Sequence, residues 1–232
     1  MKALLYKEFK LAMHPICYVF IFLFPLMILI PSYPMGIGFI YLLSCYPILF
    51  LGANKGQQSN DLMFSTLLPV RKKDIVLARI FTVIIMQIVY ILVMSALWPL
   101  AYYIQESIKA ASDGATKIPG LGVTAYISVV AFGILGFALA DLIFFPIYYK
   151  NGRSIVMSTL FTILGFVVFL LVFTLGLPLA FESTYGLFFN SYATGDNLWI
   201  QIVFLVGAIG VSALLHFITY KISAKRLERV DF

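Results

Sequence analysis

The segment SNDLMFSTLLPVRKKDIVLARIFTVIIMQIVYILVMSALWPLAYY, Ser59 to Tyr103, joins two kinds of sequence. Its second part, Ile75–Tyr103, is an apolar run longer than the about 20 residues a helix needs to cross the hydrocarbon of a bilayer. Its first part, Ser59–Asp74, crowds an acid, a short greasy patch, a proline and three consecutive basic residues into one stretch. Ser59 or Asn60 can cap a short helix there, with Asp61 in the favourable first turn. Met63 pairs with Leu67, and Phe64 with Leu68, at a spacing of four residues, which gives one apolar face. Pro69 ends that helix and Asp74 caps the span that follows. Arg71, Lys72 and Lys73 lie between the two. A short amphipathic helix with nothing in its own chain to cover it calls for a partner's groove.

The rest of the chain repeats the apolar theme. Of 232 residues 62% are hydrophobic and only 11% charged, against roughly 45–50% and 25% for soluble domains. This composition defines an all-α integral membrane protein with a single transmembrane domain over 1–232. Six spans fit, at 16–31, 36–53, 75–103, 123–149, 155–180 and 198–220. Pro31, Pro34 and Gly36 make the first two a hairpin, and KNGRS between the fourth and fifth forces another. The loop QESIKAASDGATKIPGLG reads as solvated, and PLAFESTYGLFFNSYATGD as short segments in the membrane interface. Met1–Met13 has no apolar core followed by a small-residue cleavage site and is not read as a cleavable leader.

Orientation follows from charge. Of the sixteen Lys and Arg residues, fourteen fall on one side and only Lys109 and Lys117 on the other. The positive-inside rule then places both termini and Ser59–Asp74 in the cytoplasm of a multi-pass plasma-membrane protein. The net charge of +6 reports topology and anionic lipid rather than nucleic acid. Residues 1–13 read as an interfacial amphipathic helix, with Leu5, Phe9 and Met13 on an apolar face and Lys7 and Lys10 opposite. Residues 221–232 read as a cytoplasmic tail.

Catalytic chemistry has little foothold. His14 and His216 are the only histidines, each near a cytoplasmic end and without a second ligand at helical spacing, so no metal site is expected. Phosphate-loop, GxSxG and HExxH motifs are missing, so the chain is expected to be no enzyme, to bind no cofactor itself and to leave any use of ATP to another chain. Cys17 and Cys45 sit in apolar spans and read as small core residues. Asp141 is the one acid well inside a span: it marks either a pathway or a pairing, with a basic partner near the inner boundary. Gly136 with Ala140, and Ala208 with Ser212, have the small-xxx-small spacing of close helix packing.

The order of parts resembles the ABC-2-type permeases, the membrane subunits of ATP-binding-cassette exporters. The likeness runs over MKALLYKEFK, two spans, LMFSTLLPVRKKDIVLAR, four more spans and the basic tail SAKRLERVDF. It implies that Ser59–Asp74 is the coupling helix on which an ATP-binding subunit docks, with Asp61, Met63, Phe64, Leu67, Leu68, Arg71, Lys72 and Lys73 as contacts. It further implies two ATP-binding subunits that hold ATP and Mg, a second permease copy, identical or not, and alternating access between the two. The compact six-span form is similar to bacterial exporters of amphipathic peptides, including the phenol-soluble-modulin exporters of Gram-positive bacteria, which implies an amphipathic or hydrophobic cargo. Two other classes compete: a polytopic protein without transport, such as a bacteriocin-immunity factor or an intramembrane hydrolase, and an ion-coupled secondary transporter. A hydrolase needs a paired nucleophile and base at mid-depth, an immunity factor needs no ATPase, and secondary transport needs several intramembrane charges with broken helices.

Overall fold

A computed structural model describes residues 2–12, 15–29, 70–111, 127–151, 155–172 and 198–229, all of them in helices or the turns that border them. In chain order, α1 is Lys2–Lys7 and continues as a π-helical turn over Glu8–Ala12; α2 is Ile16–Leu23, followed by a 3-10 segment, Pro25–Leu29. Then come α3, Lys72–Ala111; α4, Ile127–Asn151; α5, Ile155–Leu171; and α6, Leu198–Glu228. Among the described residues there is no strand.

Three of these helices, over Lys72–Ile104, Ile127–Lys150 and Leu198–Glu228, are long and apolar enough to cross a membrane. Ile16–Leu29 and Ile155–Leu171 are shorter apolar helices. The surface tells the same story from the other direction. On α5, Val156, Leu160, Phe161, Leu164 and Val168 are exposed, and on α6 so are Val206, Leu214 and Phe217. An exposed apolar surface this continuous marks contact with lipid tails or with another membrane helix.

Several boundaries move from their sequence-based positions. The first span breaks where Pro25 removes a backbone donor, and the chain tightens into the 3-10 turn. Pro99 and Pro146, by contrast, lie inside α3 and α4 without ending them. Asp74 does not cap α3: the helix already begins at Lys72, and Asp74 sits in its first turn, where Arg71 Nε donates to Oδ2 at 3.3 Å. At the other end the expected cytoplasmic tail is no separate segment up to Glu228. It continues α6, because Ser223, Ala224 and Leu227 are all buried and give the extension an inward face. The first part of the expected solvated loop, 105–111, instead continues α3, which runs to Ala111; the expected second span, Cys45, His14, the rest of that loop over 112–122 and the interfacial segments over 178–196 lie outside the described residues.

The helices assemble around two hubs. α3 packs against α1, α2 and the 3-10 segment, while α4 packs against both α5 and α6, and α6 also reaches α3. α3 and α4 meet through large side chains, as where the rings of Tyr90 and Phe137 approach edge to face at 6.3 Å. Met86, Met94, Phe144, Phe145 and Tyr149 fill the same core, and Cys17 lies at its α2 edge, fully buried. Gly136 lets α5 come close to α4. A Cβ added there would stand 2.6 Å from Phe166 Cε2 and 3.3 Å from Phe169 Cε1, whereas at Gly207 or Gly210 of α6 it would meet nothing within 4 Å. Gly136→Ala is therefore expected to cost about 1–3 kcal/mol through overpacking. Gly207→Ala and Gly210→Ala should lose none, since alanine is the better helix former. Thermal unfolding of the three variants in detergent reads the difference directly.

Candidate functional site

The N-terminal helix is held from within the bundle. The side chain of Glu8 turns inward and meets Arg79, about two turns inside α3: Nε donates to Oε2 at 2.9 Å and Nη2 to Oε1 at 3.2 Å. This is the two-pronged fork that guanidinium and carboxylate make when geometry matters. Both residues are more than nine-tenths buried, and Arg79 Nη1 also donates to the hydroxyl of Tyr148 on α4, at 3.3 Å. Lys7 Nζ lies 3.7 Å from Glu8 Oε1. A charge-bearing knot therefore ties α1, α3 and α4 together.

This knot corrects the amphipathic reading of residues 1–13. Lys7 is not on the solvent face but buried beside Glu8, and Leu4, which falls off the expected apolar arc, is buried at 6% exposure. The helix must turn its Glu8 side inward because Arg79 cannot be left unpaired in the core. Leu5 and Phe9 are half-buried, and Phe9 packs against the core. Lys10 is exposed: its Nζ lies 5.1 Å from the ring centre of Tyr6 and donates to the Tyr6 hydroxyl at 2.6 Å. Met13 lies outside the described residues.

The contacts expected for a docked ATPase divide in two. Asp61, Met63, Phe64, Leu67 and Leu68 lie outside the described residues. Arg71, Lys72 and Lys73 stand at the start of α3. Arg71 is exposed and paired with Asp74, and Lys73 Nζ reaches Glu228 on α6 at 3.4 Å. Exposed pairs of this kind are worth only about 0–1 kcal/mol, but the Lys73–Glu228 contact locates the end of α6 beside the start of α3. Arg226 adds a second link, from Nη1 to the backbone oxygen of Pro146 on α4. The start of α3 and the ends of α4 and α6 thus converge with α1 on one small region.

A second polar layer lies deeper. Asp141 of α4 is fully buried. Gln87 Nε2 of α3 donates to its Oδ2 at 3.0 Å, and His216 Nε2 of α6 lies 3.0 Å from the same oxygen. The basic partner that meets Asp141 is therefore His216 of α6, four residues before the expected end of the last span. His216 in turn is no mere interfacial side chain. The two polar layers are separated by Val83, Met86, Phe144 and Phe145, all buried. Arg79 to Gln87 is about 12 Å along α3 at 1.5 Å per residue. Among the described residues no three His, Cys, Asp or Glu side chains gather as metal ligands.

Sequence reasoning missed Glu8, Arg79, Tyr148, Gln87 and His216. One signal was available: Arg79 lies within an apolar span, and a cation there demands an acid.

Long apolar helices with exposed apolar faces, joined by buried polar contacts between α1, α3, α4 and α6, define a multi-pass helical membrane protein. The chain belongs to the ABC-2 transporter family: the family model described as ABC-2 family transporter protein matches residues 3–228. Membership implies partnership with an ATP-binding subunit as well as with lipid. No curated protein matches the chain, and no solved structure does.

Proposed function

We propose that this chain is the permease subunit of an ATP-driven exporter. Two permeases form the path for an amphipathic or hydrophobic cargo, a peptide of the kind handled by the phenol-soluble-modulin exporters, and two ATP-binding subunits that hold ATP and Mg drive it. The permease supplies no catalytic group. It crosses the membrane six times, with both termini cytoplasmic, and Ser59–Asp74 is the joint to the ATPase. The observation that carries this reading is the convergence at the head of α3. A push delivered through the 59–74 segment arrives at Lys72 and Lys73, and Glu8–Arg79 and Lys73–Glu228 link that same end to α1 and α6. Rigid helices joined by a buried fork are suited to pass a displacement onward as a unit.

The test is purification of the tagged chain from its own cells, followed by identification and counting of what accompanies it. An ATP-binding subunit, two copies each of it and of a permease, and cargo transport that requires hydrolysis are expected. Transport in liposomes by the isolated single chain would overturn the reading. Topology has its own check, in a chain with Cys17 and Cys45 replaced. A cysteine at Ser112 should react with an impermeant maleimide in intact cells, and one at the exposed Lys225 only after permeabilisation. Labelling of the Lys225 site in intact cells would invert the orientation.

A further inference from the structure

The Asp141–His216 contact carries a constraint on protons that does not depend on whether an ATPase docks. His216 Nδ1 lies 2.7 Å from the backbone oxygen of Ser212, one helical turn back. A carbonyl oxygen only accepts, so a contact this short places a proton on Nδ1. If that were the only ring proton, Nε2 would present a bare lone pair to Asp141 Oδ2 at 3.0 Å. Two lone pairs at that distance repel, the more so where little solvent screens them. A proton must therefore lie between Nε2 and Oδ2. Either the imidazolium donates to a carboxylate, or a carboxylic acid donates to a neutral ring. The two forms interconvert by moving one proton along one line, with no change in net charge.

The surroundings favour keeping that proton. Gln87 donates its amide N–H to the same carboxyl oxygen. Among the described residues, the contacts of the nearby cations lie elsewhere: Arg79 of α3 meets Glu8 and Tyr148, Lys150 of α4 is exposed at the helix end, and Lys221 of α6 is exposed over the Phe217 ring. Phe144 and Phe145 seal the cytoplasmic side.

We propose that Asp141 and His216 together form a proton-binding site inside the membrane, which holds one proton between Oδ2 and Nε2 beyond the one on Nδ1. The occupied site fastens α6 to α4, with Gln87 bringing in α3. Loss of the proton turns the contact repulsive, so the joint between these helices can open only as the proton leaves or α6 moves away.

The experiment counts protons on the pair in the full chain, reconstituted in bilayers at neutral pH. Because the sequence has only two histidines, His14→Gln leaves His216 as the sole ring in a 15N-histidine spectrum; should that variant fold poorly, Asp141→Asn assigns the His216 signals in the native chain by shifting them. Infrared difference spectra against Asp141→Asn read the carboxyl group. Two protons in total are expected: both ring nitrogens protonated with an ionised carboxylate, or Nδ1 protonated with a protonated carboxyl. A single ring proton beside an ionised carboxylate would overturn the site. That includes the arrangement in which Nε2 alone is protonated and the Ser212 hydroxyl, 3.3 Å away, donates to Nδ1.

Discussion

Arg79→Ala should destabilise the folded chain by about 3–5 kcal/mol, because it strands the carboxylate of Glu8 in a buried site without its partner. Glu8→Ala should cost a similar amount by stranding the guanidinium. Each side chain of this pair is about 5% exposed or less, so solvent offers little relief. Arg79→Lys should recover only part of the loss, since a point charge cannot reproduce the two-pronged contact or reach Tyr148 in the same geometry. The informative variant is the double replacement, Glu8→Leu with Arg79→Leu. Exchange of a whole buried ion pair for apolar side chains is often neutral or stabilising, so its thermal stability in detergent should return close to that of the native chain. If the fork also transmits motion from the head of α3 to α1, the double variant should still fail to couple ATP hydrolysis to cargo. Restored stability with restored coupling would reduce the pair to a structural fastening.

The three long helices α3, α4 and α6 were legible because a bilayer demands long apolar helices, and such runs announce themselves along the chain. Ends were less so. Leu227 is four residues beyond Ser223, and both are buried, which extends α6 into what composition alone marks as a basic tail. The polar layers were hidden for a different reason. Glu8 and Arg79 are 71 residues apart, and Asp141 and His216 are 75, so no local spacing relates them. Amphipathic periodicity misplaced Lys7 because it assumes one uniform helix, whereas the chain passes into a π-helical turn at Glu8 and the Arg79 guanidinium decides which side turns inward. The small-residue spacing at Gly136 was readable and meets Phe166 as close packing requires. Ser212 was readable only as a small residue, although its carbonyl oxygen also lies 2.7 Å from His216 Nδ1.

The second large effect is expected at the segment that opened the sequence analysis. On the coupling reading, Phe64 and Leu67 bury apolar surface in a groove of the ATP-binding subunit, at about 1.5–3 kcal/mol for each large side chain. Arg71, Lys72 and Lys73 contribute at most rim pairs of about 0–1 kcal/mol. Phe64→Asp or Leu67→Asp both removes that burial and leaves a carboxylate desolvated at the contact. Either change should release the ATPase while the chain still inserts in the membrane. Lys72→Ala and Lys73→Ala should do much less, although loss of the Lys73–Glu228 contact leaves the end of α6 less tightly held.

The most direct measurement is therefore the amount of ATP-binding subunit that co-purifies with the native chain, Phe64→Asp, Leu67→Asp and Lys72→Ala at matched membrane levels, together with cargo-stimulated ATP hydrolysis for each. Retention of both by the native chain and Lys72→Ala, with loss of both in the two aspartate variants, is the predicted result. An aspartate variant that keeps the ATPase bound and stimulated would contradict the account, and Ser59–Asp74 would then be an ordinary solvated loop.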